Sequence, residues 1–359
     1  MVAHSRCKKG AAMKKDITTT IGCDLGDKES EICVLRVDGT IDRTRVKSTK
    51  VALRKFFERA PAHVVLEVGG HSRWAGELLR ELGHQVTVAN PRRLRLISEN
   101  DSKTDRTDAE LLARLGRADV TLLSPVTHRE RRAQEELAVI KARDVLVAGR
   151  TRLVNHVRGV VKSFGERLPR CTAESFHRRT RAGVPVELQP ALEPIYETLA
   201  RMQEQIRTLG RTIARLAKAH PEVTLLSQPH GVGELTGLAF ALTIGDKGRF
   251  EKSRTVGAFL GLRPRKDQSG GGDPQLRITK AGDPLLRRLL VNSANHILGP
   301  FGADSDLRRW GLKLAERGGK NARKRAKVAV ARKLAVLMHR LWVTGEVYQA
   351  IGYGRDAVA

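Results

Sequence analysis

Five strand-like runs fall within the first ninety residues, and their order restricts the fold of the N-terminal part more than any other property of the chain. Ile17-Thr18-Thr19-Thr20-Ile21-Gly22-Cys23-Asp24 is β-branched, and Leu25-Gly26-Asp27-Lys28 reads as a turn after it. Glu31 to Val37 forms a second run, Asp38-Gly39 is a hairpin turn signal, and Thr40 to Val46 returns as a third. A helix is expected over Val51 to Ala60. The apolar run His63 to Val68 then reads as a buried strand, followed by the Gly69-Gly70 break. A helix through Leu79 to Leu82 and a short strand Gln85 to Ala89 complete the series.

The order β-β-β-α-β-α-β-α is that of an RNase H-type domain, an antiparallel trio continued by parallel strands with crossover helices. In that order Asp24 ends the first strand and Glu67 the fourth, and strand ends in open α/β sheets are where ligands bind. A further polar stretch, Ser102-Lys103-Thr104-Asp105-Arg106-Thr107-Asp108, runs into the apolar-periodic Ala109 to Leu115. Asp105 and Asp108 would share one helix face, with Leu111, Leu112 and Leu115 forming the opposite, buried stripe. Thr107 followed by Glu110 reads as a capping box, so the helix begins either at Asp105 or just after Thr107. Either way both carboxylates sit near a helix N-terminus, where negative charge is favoured.

An isolated D-x-x-D is also explained by a well-capped surface helix. Asp24 and Glu67 are what give it a chemical reading. Four converging carboxylates repel one another by several kcal/mol at low effective dielectric, so such a cluster requires a hard divalent cation. Oxygen-rich ligand sets of this kind select Mg²⁺ or Mn²⁺. Two such ions about 4 Å apart can activate the attacking oxygen and stabilise the leaving oxygen of a phosphodiester exchange.

The 359 residues carry a formal net charge of +27 and a pI near 10.7, which calls for a polyanionic partner: nucleic acid first, an anionic membrane surface second. With aromatic residues at 4 %, phosphate contacts from Arg and Lys should outweigh base stacking. Cys7, Cys23, Cys33 and Cys171 form no C-x-x-C and no Cys/His cluster, so neither a zinc site nor a disulfide framework is indicated. The basic N-terminus lacks an apolar signal core and no run reaches transmembrane length, so a soluble, reducing, intracellular protein is expected.

From Glu130 to Phe164 the pattern is helical, with apolar pairs recurring every seven residues. A second helical run begins near Pro190, and Leu192, Ile195, Leu199, Met202, Ile206, Leu209, Ile213 and Leu216 alternate steps of three and four. That seam predicts a coiled coil or a long antiparallel hairpin, serving as a core element within one chain or as a dimerisation arm. Pro229 to Leu238 resembles a helix-hairpin-helix turn, in which Gly231 and Gly233 let backbone N–H groups approach a phosphate. Further on, Ser269 sits in the glycine-rich stretch Gly261 to Gly272, ringed by Arg263, Arg265, Lys266, Arg277 and Lys280. Glycine allows close approach and the cations neutralise phosphate, which suits a serine attacking a phosphodiester. The densely basic C-terminal third reads as a nucleic-acid-facing helix packed through one apolar side.

In their order and spacing these landmarks resemble the DEDD transposases of the insertion-sequence-110 family. The carrying motifs are Ile21-Gly22-Cys23-Asp24, Leu66-Glu67, Lys103 to Ala109, His230-Gly231-Val232-Gly233, Gly261-Leu262-Arg263-Pro264, Gln268-Ser269-Gly270, Ile278-Thr279-Lys280 and Ala329 to Leu334. The resemblance implies a basic arm over 1–15, a RuvC-like catalytic domain over 16–125, a coiled-coil region over 126–222, a serine-containing transposase domain over 223–348 and a tail over 349–359. Asp24, Glu67, Asp105 and Asp108 would bind the metal and Ser269 would be the nucleophile, giving a covalent serine–DNA intermediate. Donor and target DNA, a structured element-encoded guide RNA and further copies of the chain, as a dimer or tetramer, are the implied partners. A bacterial cytoplasmic, nucleoid-associated location and no membrane follow from the same likeness. Two other readings remain on the residues alone: a hydrolytic junction nuclease in which Ser269 is a bystander, and a non-catalytic nucleic-acid-binding protein.

Overall fold

The computed structural model describes residues 18–90, 104–266, 276–319 and 321–352, in two compact units spanning 1–128 and 129–359. The basic arm over 1–15 and Ser269 lie outside the described residues.

The first unit is a five-stranded sheet of β1 (Thr20–Leu25), β2 (Glu29–Leu35), β3 (Ile41–Lys47), β4 (His63–Glu67) and β5 (Gln85–Ala89) in the order β3-β2-β1-β4-β5. The first three strands pair antiparallel; β1 with β4 and β4 with β5 pair parallel, through α1 (Lys50–Phe57) and α2 (Ser72–Glu81). This is the element order expected from the sequence, with small differences in extent. β2 stops at Leu35 because Arg36 N–H bonds to Thr40 O and Gly39 N–H to Arg36 O, closing residues 36–40 into the turn. Alternation along the strands sends Ile21, Cys23, Ile32, Val64 and Leu66 to one face, where they pack on Leu53, Phe57, Leu78 and Leu79 of α1 and α2. Each fully buried large side chain in such a layer contributes roughly 1.5–3 kcal/mol. Helix α3 (Asp105–Ala118) covers the opposite face through Ala109, Leu112 and Ala113.

The second unit is helical among its described residues. Helices α4 (Arg131–Ser163) and α6 (Gln189–Lys218) pack antiparallel, joined by a connection holding the short α5 (Phe176–Arg179). At the hairpin's far end Val154, Val157 and Val161 meet Leu192, Tyr196 and Leu199. Phe176 stacks on Tyr196 with ring centroids 5.8 Å apart, and Thr180 Oγ1 bonds to the Tyr196 hydroxyl at 2.8 Å. The expected seam is rotated by one position: Leu192, Leu199, Ile206 and Ile213 are buried, but Tyr196 and Gln203 lie deeper than Ile195 and Met202. At Gln203 the change accompanies Arg150, buried on α4 and donating to Gln203 Oε1, and at Tyr196 it accompanies the Phe176 ring and the Thr180 hydroxyl.

At the near end Leu137, Ile140, Ile213 and Ala217 enter a larger core. Its centre is α8 (Glu234–Ile244), buried at every position from Thr236 to Ile244, as a helix apolar on nearly every side must be. Around it run α7 (Pro221–Leu226), α9 (Val256–Phe259), α10 (Pro284–Ile297), α11 (Asp306–Glu316) and α12 (Ala322–Thr344), which contribute Leu226, Val256, Leu290, Leu307 and Leu334 to that core.

Candidate catalytic and nucleic-acid sites

Two glycines set the position of α3. A β-carbon at Gly22 on β1 would meet the backbone of Ala109 and Ala113. One at Gly116 on α3 would fall 2.4 Å from Val65 Cγ2, with His63 and Thr20 next nearest. The start of β1 and β4 therefore lies under the C-terminal end of α3, and the middle of β1 under its second turn, so the helix runs antiparallel to both strands. Its N-terminus then overlies their C-terminal ends. Asp24 and Glu67 each follow the last ladder pair between these strands, Cys23 with Leu66, and share the face of Gly22 and Val65 by alternation. Asp24, Glu67, Asp105 and Asp108 thus occupy one face and one end of the sheet.

The cap differs from the capping-box expectation. Thr104 is the N-cap, its Oγ1 accepting from Thr107 N–H at 3.2 Å, and the helix starts at Asp105. Glu110 is drawn away from any box by Arg43 and Arg114, whose hydrogen bonds hold its carboxyl below the usual range. The expected separation of carboxylates from the apolar stripe also fails for Asp108. It is only 4 % exposed and sits on the face with Ala109, Leu112, Ala113 and Gly116, whereas Asp105 is exposed. Small residues at 109, 113 and 116 let the helix lie close to the sheet, and the stripe turns to carry Asp108 inward. At the other end Arg117 donates to the Arg36, Leu35 and Thr18 carbonyls, fixing the helix against the sheet edge.

The donor set at this end is all carboxylate oxygen, which fits a hard divalent cation in type. Among the described residues no three His, Cys, Asp or Glu side chains come close enough together to hold a metal ion. The neighbouring Cys23 is on the opposite face, and burial, with the Asp24 charge beside it, pushes its thiol far above the ordinary range; it is inert.

In the second unit the stretch containing Ser269 leaves and returns on a short paired base. Pro264 bridges Ile278, Arg265 N–H bonds to Arg277 O, and Thr279 N–H to Arg263 O, both at 2.9 Å. Two glycines close its feet: Gly261 (φ +68°) lies against Ala281, and Gly282 (φ +75°) against Phe259 O. One guanidinium ties both feet together, Arg287 Nη1 donating to Leu260 O at 3.0 Å and Ala281 O at 2.9 Å. Arg263, Arg265, Lys266, Arg277 and Lys280 are all exposed on this base. The turn before α8 holds Gly231 at φ +91°, with Gly233 as N-cap and no side-chain cap on the helix.

Sequence reasoning missed Gly116 and Arg117, quoted Gly22 without its packing role, and counted Arg287 only as part of the basic C-terminal third. A glycine inside a β-branched run is the signal for Gly22, since it marks a close backbone approach. Arg287 has no local signal.

Residues 21–165 match the IS110 DEDD transposase family model and residues 223–303 match that of the IS116/IS110/IS902 transposase family. The chain is 29 % identical to the transposase for insertion sequence element IS1111A of Coxiella burnetii, over 95 % of this chain and 94 % of the relative. It is 30 % identical to a probable family 20 transposase of Pseudomonas aeruginosa, over 89 % and 96 %, and 30 % identical to the transposase for IS1328 of Yersinia enterocolitica, over 77 % and 83 %. Among the described residues no helix is long and apolar enough to cross a membrane. A mixed sheet carrying acidic residues at one end, a helical second unit, a strongly basic composition and these similarities together make the chain a member of the IS110 family of transposases, enzymes that cut and rejoin DNA.

Proposed function

We propose that this transposase exchanges DNA strands by serine chemistry at a carboxylate-supported site. Ser269 Oγ forms a bond to a phosphorus of the donor or target strand, one P–O ester bond breaks, and the departing sugar hydroxyl takes up a proton. A sugar hydroxyl of the other duplex then attacks the serine ester, releasing Ser269 and joining the strands. Asp24, Glu67, Asp105 and Asp108 would hold the divalent ion, Mg²⁺ or Mn²⁺, on an RNase H-like (RuvC-like) scaffold. When bound, that ion supplies charge neutralisation at the phosphodiester and lowers the pKa of an attacking oxygen. Arg263, Arg265, Lys266, Arg277 and Lys280 would neutralise the phosphate backbone, with Gly231 and Gly233 giving a further backbone contact. A structured guide RNA would read donor and target, the α4–α6 hairpin acting as a coiled coil within a dimer or tetramer in which one protomer's carboxylates serve another's serine.

The observation that supports this most is the shared face and end of Asp24, Glu67, Asp105 and Asp108 under a helix held by Gly22 and Gly116. The test is an adduct assay with the full chain, the RNA transcribed from DNA flanking the gene, and labelled donor and target duplexes in Mg²⁺. A protein–DNA adduct that survives denaturation and disappears in both Ser269→Ala and Asp105→Asn is the expected result. Cleavage that persists in Ser269→Ala with no adduct would replace this reading with a hydrolytic nuclease.

A further inference from the structure

Two adjoining cavities in the second unit form one groove along α10. The first, of about 480 Å³, lies between α4 and α10, with Ile140, Val147, Ala148, Leu235 and Leu289 as apolar walls and Arg143 at its rim. The second, also about 480 Å³, is a shallow, widely open depression against the Gly231-Val232-Gly233 turn, lined by Asn292, Ser293 and His296. Leu289 and Asn292 line both. The groove therefore has an apolar recess at one end and hydrogen-bonding side chains at the other.

Several features mark the polar end as built to receive a group. A β-carbon at Gly231 would come within 3.1–3.2 Å of the Ile297 and His296 side chains, so glycine keeps that corner open. Ser293 is only 5 % exposed, lines the cavity, and its hydroxyl forms no hydrogen bond among the described residues. Its oxygen is open to the cavity rather than sealed away, so a group entering there can bond to it. No carboxylate lines this end, and Asp144, the one acidic residue along the groove, is ion-paired with Arg288. Each of the Asn292, Ser293 and His296 side chains can donate, and with no carboxylate beside them they suit an anion, while the adjoining recess suits a flat, largely apolar group within covalent reach of it.

We propose that this groove holds one unpaired nucleotide, with its phosphate at the Gly231–Gly233 turn and Ser293 and its base in the recess beside Ala148 and Leu289. The proposal rests on the Gly231–Gly233 turn being a nucleic-acid contact and extends it to a base-accepting pocket. A duplex cannot supply the ligand, because its bases are stacked inside; the nucleotide comes from a single strand or is turned out of the stack. Single-strand binders combine a basic track with sequence-tolerant base burial in the same way.

The test is fluorescence anisotropy with the full-length protein in EDTA, using short labelled oligonucleotides: single-stranded DNA, single-stranded RNA and duplex DNA of one sequence. Ala148 and Asn292 are exposed on their helices, so Ala148→Trp fills the recess and Asn292→Asp adds a negative charge without disturbing the core. Each variant should weaken single-strand binding about tenfold, or about 1.4 kcal/mol, and leave duplex binding within about twofold. Weakening confined to the DNA strand assigns the nucleotide to the recombining DNA, and weakening confined to RNA assigns it to an RNA strand. Unchanged single-strand affinity in either variant, or an equal loss for the duplex, overturns the proposal. Because the assay contains no divalent ion and reads no adduct, its failure leaves the serine-recombination reading standing and is told apart from failure of that reading.

Discussion

A β-carbon at Gly22 would stand 1.9 Å from the Ala109 carbonyl oxygen, so β1 and α3 meet backbone to backbone. No rotamer change can relieve a contact with a helix backbone; the helix itself must lift. Gly22→Ala should cost about 3 kcal/mol in urea unfolding of the first unit, at the upper end of overpacking effects. It should also abolish adduct formation, because Asp105 and Asp108 move with α3. A cost below about 1 kcal/mol would show that the helix is not seated on the strand in this way.

Arg287 holds both feet of the stretch containing Ser269 through the Leu260 and Ala281 carbonyls. Removing a charged donor from two acceptors costs about 2 kcal/mol. Arg287→Ala should therefore speed tryptic cleavage between Arg263 and Lys280 several-fold, with Arg287→Lys restoring part of the protection. Identical cleavage rates in wild type and Arg287→Ala would remove the clamp from the account.

The Arg150–Gln203 pair predicts that the double variant is more stable than the single one. Arg150 is buried, burial pushes its guanidinium pKa down, and its Nε has no acceptor among the described residues. Gln203→Leu strands that charge and should cost about 3 kcal/mol, whereas Arg150→Met with Gln203→Leu should lie within about 1 kcal/mol of wild type. Thermal unfolding of the three proteins distinguishes a coupled pair from two independent losses.

Stability should fall in mild acid. His339 is fully buried, bonded to Ser253 Oγ and Lys247 O at 3.0 Å each, and burial lowers its pKa from the ordinary 6.5 while the Lys247 carbonyl partly offsets that. The unfolded chain, with the higher pKa, takes up a proton first as pH falls. The contribution of His339 is therefore complete above about pH 6.5 and is lost as pH drops toward the folded value. His63, lowered by burial in the first unit, adds the same sign there. The Tm of wild type should drop more steeply than that of His339→Gln between about pH 7 and pH 5.5. Parallel curves would exclude His339 as a source of the slope.

The strands and the long helices were legible because their signals are local: β-branched runs at 20–25 and 63–67, the Asp38-Gly39 turn, and heptad spacing after Leu192. The places of three acidic residues in their elements were legible for the same reason: Asp24 stands next to last in β1, Glu67 closes β4 and Asp105 opens a helix. What escaped is tertiary. Thr104 and Thr107 both precede acidic helix residues, and only Arg43 and Arg114, which capture Glu110, decide which threonine caps. The burial of Asp108 depends on how closely α3 approaches the sheet, and that is set by Gly22, more than eighty residues upstream. Arg150 and Gln203 are likewise unremarkable on their own helices until the two meet.

The hairpin of α4 and α6 also fixes a length. Ile140 belongs to the larger core of the second unit and Val161 to the core around Phe176 and Tyr196. At 1.5 Å per residue that interval spans about 32 Å, close to the rise of one turn of B-form DNA. Both ends of the span are clamped by packed side chains, so the separation of the two cores is fixed by helix length. Removing one heptad from each helix would bring the cores about 10 Å closer without changing which residues face each other across the seam.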